Sequence, residues 1–514
     1  MRLETLFAGH AARRPNHAAL VCGAQRLSYS ELQQSVLRLA SGLHRLGVRP
    51  RDRVLIYLPN GIEFVQMEYA VFAVGAIAVP VNMRLTSDEI EHITADAEPV
   101  LAAFHAEGRS AVQAGLRRVS TCRAVVVGEA CEGEIPFAEI IASPAGELPA
   151  LRIGVDASDD CLIMYTSGTT GKPKGAVITH ANMVVQNVYI HGLEWGIGRD
   201  DRFVVLSPLA HRAGISRLYN ALGLGGTLVI MDKFDAARTL ETIERERITV
   251  AGFVPTVIRM MLPLLRANPA SCASLRRIII STEACPVALK QELIELIPNA
   301  EIHSVFAMTE ALVTDLDHAG QFTHPASVGR AIPGVEIRIV GAEGREVSCG
   351  EAGEILVRSG APGRYATIAE YFRQPEATAA AIRDGWFHTG DMGRQDNEGY
   401  LYIVDRKKDM VISGGFNIYS KEVEQVLATH PDIVDAAVIG VPDEIFGEAV
   451  AAFIETKPGA RLDAGQVVEH CREHLAGYKK PKHIYFIDAL PRNSTGKVLK
   501  FELRKLASQK ALQS

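Results

Sequence analysis

The sequence predicts an α/β protein, with a large N-terminal domain of packed sheets and helices followed by a small α+β domain. Three observations carry the prediction. Strand-like apolar runs alternate with stretches of helical periodicity through residues 1–150, the order that builds mainly parallel sheets. Beyond residue 405 the order becomes helix, strand, strand, helix, strand, which suits a module with its own core. Between the two lies "DRKKD", Asp405 to Asp409, charged and polar between apolar runs. The expected division is 1–405 and 406–514; a surface turn inside one domain is the other reading of the same five residues.

Each element has a local signature. In "YSELQQSVLRLASGLHRLGV", Leu32, Val36, Leu39 and Leu43 share one helical stripe, and Gly47 follows as a C-cap. "DRVLIYLP" reads as a buried strand and "FVQMEYAVFAVGA" as a helix. "RAVVVG" and "DCLIMYTSG" read as further strands. In the C-terminal part, "SKEVEQVLATH" and "AGQVVEHCREHLAGY" read as helices, and "DAAVIGV", "AVAAFIET" and "HIYFIDAL" as strands.

Composition excludes several classes. Apolar residues make up 47% and charged residues 22%, ordinary values for a soluble protein with a sizeable core. A net charge of −6 does not suit a nucleic-acid binder. The longest apolar run, Val71 to Val81, is too short to span a bilayer and contains Gly75 and Pro80. The start, "MRLETLFAGHAARRP", lacks a signal-peptide layout. Eight scattered cysteines without a CxxC pair read as reduced thiols, so the expected location is cytoplasmic and a zinc site is not expected.

The stretch "YTSGTTGKPKG", Tyr165 to Gly175, follows the strand "CLIMYT". Its glycines, hydroxyls and two lysines suit anionic oxygens. It is not a Walker A loop: the spacing is Gly168-x-x-Gly171-Lys172, and Pro173 stands where magnesium-holding Ser or Thr is needed. A flexible loop is the bland alternative. Other residues are candidates only in company. Glu310, after Thr309, offers a carboxylate to magnesium, or is simply solvated. Asp391 in "HTGD" offers two acceptors to a ribose diol, or is a turn residue. His211 in "SPLAHRAG" stands at the end of an apolar strand, and Lys497 in "PRNSTGKVLK" reads in isolation as a surface lysine.

In this order the segments resemble the adenylate-forming superfamily of acyl-CoA synthetases, nonribosomal adenylation domains and luciferases. "YTSGTTGKPKG", "RDGWFHTGDMG", "DRKKDMVISGGFNIYSKEVE" and "PRNSTGKVLK" carry the resemblance, which covers nearly the whole chain. It implies ATP, Mg²⁺ and coenzyme A as cofactors and a small carboxylic acid, fatty or aryl, as substrate. Adenylation turns a carboxylate oxygen into part of AMP, a good leaving group, and the site must neutralise two anions. By the resemblance, Thr166, Ser167, Gly168, Thr169, Thr170 and Gly171 wrap the β- and γ-phosphates, with Lys174 as a charge clamp. Glu310 ligates Mg²⁺ and Thr309 contacts the phosphates. Phe306 stacks on adenine, and Asp391 holds the ribose, assisted by Arg406. Lys497 bridges the carboxylate and the α-phosphate. The small domain then rotates about a hinge at Lys408, bringing Gly414 and Gly415 to the pantetheine arm. "AGYKKPK" adds positive charge near the 3′-phosphate of CoA.

Two departures stand out. "FAMTE" replaces the family's "YGxTE", and "STEACP" has Glu283 and Cys285 in the adenine-side segment. Amino-acid adenylation domains place an Asp after the position of His211; here Arg212 stands there and repels an ammonium. The resemblance is therefore to acyl- and aryl-CoA ligases, with His211 bordering the acyl channel. Arg212 or Arg217 is a candidate reader of a distal polar or anionic group on the acid, or a surface arginine. A stand-alone adenylation enzyme that loads a carrier protein is the alternative. A homodimer is a candidate assembly, with neither a membrane span nor nucleic acid expected.

Overall fold

The computed structural model describes residues 1–119, 121–144, 156–166, 173–282, 285–492 and 498–511. By its internal contacts the chain forms two compact units, Met1–Ile337 with Val357–Phe387, and Arg338–Leu356 with His388–Ser514. The predicted elements are present: helices Tyr29–Arg45 and Ile62–Ala73, and strands Arg53–Tyr57, Arg123–Val127 and Asp160–Thr166. Ser28 and Glu31 close the first of these helices with reciprocal capping hydrogen bonds, and Gly47 takes φ +92° just beyond its end.

Two sheets organise the first unit. In the nine-stranded sheet, Ala18–Cys22, Thr227–Ile230, Arg202–Val205, Val250–Phe253, Arg277–Ile280 and Glu301–Ala307 run parallel. Antiparallel strands close its edges, including Leu312–Leu316, which pairs with Glu301–Ala307. In the eight-stranded sheet, parallel pairing runs from Asp160–Thr166 through Ile77–Pro80, Arg53–Tyr57, Leu101–His105 and Arg123–Val127. Lys174–Thr179 then pairs antiparallel with Asp160–Thr166 on one side and with Glu370–Tyr371 on the other.

The strands are apolar on both faces because each sheet is covered on both. One core joins Leu20, Phe203 and Leu228 of the first sheet to Val54, Ala78 and Ala103 of the second, with helices Tyr29–Arg45, Ile62–Ala73 and Arg212–Leu224 packed in it. Separate clusters around Ile278 and Phe104 cover the outer faces.

The second unit has its own core around Val411, Val423, Val438, Ala452 and Val467. Its strands Ile433–Asp443 and Gly447–Thr456 pair antiparallel, and His483–Phe486 runs parallel to the latter. Helices Ser420–Leu427 and Ala464–His474 flank them in the predicted order. Among the described residues, no helix is long and apolar enough to cross a membrane.

The central core encloses a carboxyl group. Glu68 is fully buried on helix Ile62–Ala73 and accepts a hydrogen bond from the Tyr219 hydroxyl at 3.0 Å. Burial pushes its pKa from 4.5 up to about 8. The folded chain thus holds a proton that the unfolded chain releases between those values. This contribution to stability is full below the unfolded pKa and declines as pH rises towards 8. Glu68 is expected to contribute a downward slope to the unfolding free energy from urea titration between pH 5 and pH 8, against the upward slope of buried histidines such as His180 and His191, whose pKa values burial lowers. Glu68→Gln, which keeps an acceptor for Tyr219, should flatten that slope by up to ~1.4 kcal/mol per pH unit. Superimposable slopes for the two proteins would exclude Glu68 as the source.

Candidate active site

The connection 167–173 leaves one strand of the eight-stranded sheet and returns in the next, so Thr166 and Lys174 face each other in register. Its far end is anchored where the His92 ring donates to the Pro173 carbonyl at 3.0 Å. Tyr165, just before it, donates to Asp96 at 2.5 Å. Ser167, Gly168, Thr169, Thr170 and Gly171 lie outside the described residues. Gly175 is explained by packing: a methyl there would stand 2.7 Å from Ile163 Cγ2 and 3.1 Å from Tyr165 Cζ.

Glu310 reaches the same place from the other sheet. Strand Glu301–Ala307 turns back at 308–311, where Met308 N–H bonds the Ala311 carbonyl at 2.8 Å, and continues as Leu312–Leu316. Thr309 and Glu310 occupy that turn, and the Glu310 carbonyl accepts from Ile368 N–H at 2.9 Å. Glu310 Oε1 accepts from Thr166 Oγ1 at 3.4 Å and from the Tyr371 hydroxyl at 2.9 Å. Lys174 Nζ lies 5.4 Å from the Tyr371 ring centroid, a cation–π distance.

Four side chains therefore converge: Thr166, Lys174, Glu310 and Tyr371. The Glu310 carboxylate and the Thr166 hydroxyl are hard oxygen donors of the kind Mg²⁺ prefers, beside a cation suited to phosphate, so the residues present fit a magnesium–nucleotide group. Burial, and next the Glu310 carboxylate, push the Tyr371 hydroxyl well above its ordinary range, which keeps it a donor. Tyr371 was missed in the sequence. Nothing in "EYFRQPE" marks it, because its place depends on the pairing of Glu370–Tyr371 with Lys174–Thr179.

Phe306 pairs with Thr314 next to a register shift at Ala307, the kind of irregularity that re-aims side chains beside a site. In the adenine-side segment Glu283 lies outside the described residues, whereas Cys285 packs against an apolar cluster. Thr282 holds φ +80°, a conformation that strains a β-branched residue and that the sequence did not announce.

His211 does not end a strand as expected. Strand Arg202–Val205 stops earlier, and His211 is the N-cap of helix Arg212–Leu224, without a side-chain capping bond. Burial lowers its pKa, so the imidazole is neutral at neutral pH. The helix start is tightly packed, since a methyl on Gly214 would lie 2.2 Å from the Pro208 carbonyl oxygen.

In the second unit, Asp391 and Arg406 are register partners on strands Trp386–Gln395 and Leu401–Arg406. Arg406 Nε lies 3.2 Å from Asp391 Oδ1, and Asp391 is buried. A carboxylate fixed in this way fits a diol. Lys408 follows in a turn in which Asp409 and Met410 N–H both bond the Arg406 carbonyl, at 2.9 and 3.1 Å. Gly414 and Gly415, at φ +58° and +83°, form the two-residue turn between Val411–Ser413 and Phe416–Ile418. The hairpin alone requires them; in addition, no atom lies within 4 Å of a Cβ placed on Gly415. Lys497 lies outside the described residues.

Residues 7–364 match the AMP-binding enzyme family, and residues 422–497 match the AMP-binding enzyme C-terminal domain. The chain belongs to the AMP-binding enzyme family. A feruloyl-CoA synthase of Amycolatopsis sp is 37% identical over 504 residues, covering 96% of this chain and 97% of that one. An indoleacetate–CoA ligase of Aromatoleum aromaticum is 36% identical over 516 residues, 99% of each chain. The structure of o-succinylbenzoate CoA synthetase from Bacillus subtilis, in complex with its acyl-adenylate intermediate, matches with a TM-score of 0.86 at 29% identity over 97% of each chain. The mixed α/β fold, with a large N-terminal and a small C-terminal domain, is thus that of the adenylate-forming enzymes.

Tyr371 is expected to hold Glu310 in place for the metal. Tyr371→Phe should raise the Mg²⁺ concentration needed for half-maximal AMP formation by ~10-fold or more, the scale of losing a hydrogen bond to a metal ligand. The KM for the acid should change little. An unchanged Mg²⁺ dependence would leave Tyr371 a packing residue only.

Proposed function

We propose that this ATP-dependent, AMP-forming carboxylate–CoA ligase activates an aryl or fatty acid with the residues assigned below. The observation that carries the assignment is the convergence of Thr166, Lys174 and Tyr371 on Glu310 at the mouth of the glycine-rich connection. Glu310 holds Mg²⁺, which supplies charge neutralisation at the phosphates. Lys174 and the stretch Thr166, Ser167, Gly168, Thr169, Thr170 and Gly171 hold the β- and γ-phosphates, with Thr309 beside them. Phe306 offers its ring to adenine. Asp391 accepts the ribose hydroxyls while Arg406 fixes its orientation. His211, neutral and at the helix start, borders the acid. The feruloyl and indoleacetyl groups named for two relatives are aromatic, which favours an aryl acid.

Lys497 spans the carboxylate and the α-phosphate, and its removal from the acyl carbon admits the thiol. Rotation about Lys408 provides that removal, with the small domain taken as 406–514. Such a rotation has a definite cost in hydrogen bonds. The Asp405 carboxylate accepts from Ser420 N–H and from Ser420 Oγ at 3.1 Å, and these bonds cross the proposed hinge. Gly415, beside the exposed stack of Phe416 on Tyr478 at 4.7 Å, then presents open backbone to CoA, with Gly414 shaping the turn against Phe446 and Lys479 and Lys480 nearby for the CoA phosphate. A homodimer and a cytoplasmic location complete the proposal; all eight cysteines carry free thiols, which suits the latter.

Lys497→Ala should lower acid-dependent exchange of labelled pyrophosphate into ATP by ~100-fold or more, the scale of losing one transition-state donor. The same variant should still convert supplied acyl-AMP and CoA to thioester. Loss of both half-reactions in a folded variant would overturn the hinge, and thioester formation only with a carrier protein in place of CoA would favour the loading enzyme.

A further inference from the structure

Helix Arg212–Leu224 carries two arginines into the first unit, and their surroundings differ. Arg212 donates to Ser216 Oγ at 2.8 Å, to Met183 Sδ at 3.5 Å and to Gln186 Oε1. Arg217 is 6% exposed, and its buried Nη1 has no hydrogen-bond acceptor among the described residues. It lies over the Trp195 ring, with Cζ 5.0 Å from the centroid. No carboxylate among the described residues pairs with either arginine. Asp315, in the same region, has its Oδ2 taken by His303 Nδ1 at 2.8 Å and Trp195 Nε1 at 3.2 Å, while its buried Oδ1 has no hydrogen-bond partner among the described residues. Burial pulls the Arg217 pKa down to about 9, helped by Arg212, and it stays a cation at neutral pH.

An enclosed, unpaired cation is costly to a fold, and one that persists points to a ligand. Gly252 sets backbone, with no side chain, beside Arg217. Gly252 lies on Val250–Phe253, an inner strand of the nine-stranded sheet, between buried Ala251 and Phe253, yet it is itself partly exposed. A methyl on Gly252 would stand 3.7 Å from Arg217 Cδ and 3.9 Å from Nε. The missing side chain leaves the Arg217 side chain facing backbone near the carboxyl ends of parallel strands, where α/β proteins bind ligands. Six residues separate Arg217 from His211, roughly 9 Å along the helix axis.

We propose that Arg217 determines specificity in the acid pocket, and that the acid carries a second carboxylate at the end remote from the one that is activated. The proposal rests on His211 bordering the acid in the ligase reading. Arg217 meets the second carboxylate with two parallel N–H donors, over the indole of Trp195. An acid that lacks this group leaves the guanidinium buried and unpaired, the situation in which binding sites discriminate most strongly.

The test compares acids that differ by that one group: cinnamate with 4-carboxycinnamate, and octanoate with octanedioate, each with ATP, Mg²⁺ and CoA, reading kcat/KM from AMP release. The full-length protein should prefer the dicarboxylate of at least one pair by ~100-fold or more. In Arg217→Met the ratio within that pair should collapse to about one or below, and Arg217→Lys should restore part of it. A structural role would lower both members of a pair together and leave the ratio unchanged, which overturns the proposal. Preference for the monocarboxylate in both pairs also overturns it while leaving the ligase standing. AMP release with no acid at all removes both readings. If Arg217→Met fails to fold, the ratio in the unmodified protein decides.

Discussion

Strand Lys174–Thr179 is paired on both edges, by Asp160–Thr166 and by Glu370–Tyr371, and the cluster of Thr166, Lys174, Glu310 and Tyr371 rests on that double pairing. One edge sets Thr166 opposite Lys174. The other delivers Tyr371 to the same end of the strand. Glu310 arrives from the nine-stranded sheet and is locked by its own carbonyl to Ile368, two residues before the Glu370 strand. A slip of one residue in either ladder would turn these side chains to the opposite face. Gly175, with no space for a methyl, helps to hold that register.

Around this frame the interior tolerates charge selectively. Glu68 is enclosed but answered by Tyr219, and burial keeps it protonated well above the usual carboxylate range. Arg212 is answered by neutral oxygen and sulfur acceptors. Arg217, one residue beyond Ser216 on the same helix, lies over Trp195 with its buried Nη1 unpartnered among the described residues. The proposed ligand would answer that buried cation.

In the second unit the key residues are close in sequence and serve different ends. Arg406 turns back to Asp391 across the strand pair, while Asp405 turns forward to the start of helix Ser420–Leu427, where a carboxylate suits the free N–H groups. Lys408 lies in the turn just after both. Burial lowers its pKa, and the Asp409 beside it is paired with Arg504 at 3.0 Å. The proposed hinge would lie in this short turn.

The sequence by itself determined the α/β class, the order of elements and the change of architecture towards the C-terminus, because these follow from local periodicity and from turn residues. It also singled out Thr166, Lys174 and Glu310, since a glycine-rich connection after a strand and a carboxylate at a strand end are visible in a short window. Only the tertiary structure decided what lies far apart in the chain. Tyr371 acquires its place through a pairing almost two hundred residues away. Gly414 and Gly415 proved to be demanded by a hairpin turn. Arg212 and Arg217, equivalent candidates in sequence, were distinguished by who answers each guanidinium. Hydrogen-bond satisfaction and burial are properties of neighbours in space, and linear sequence does not contain them.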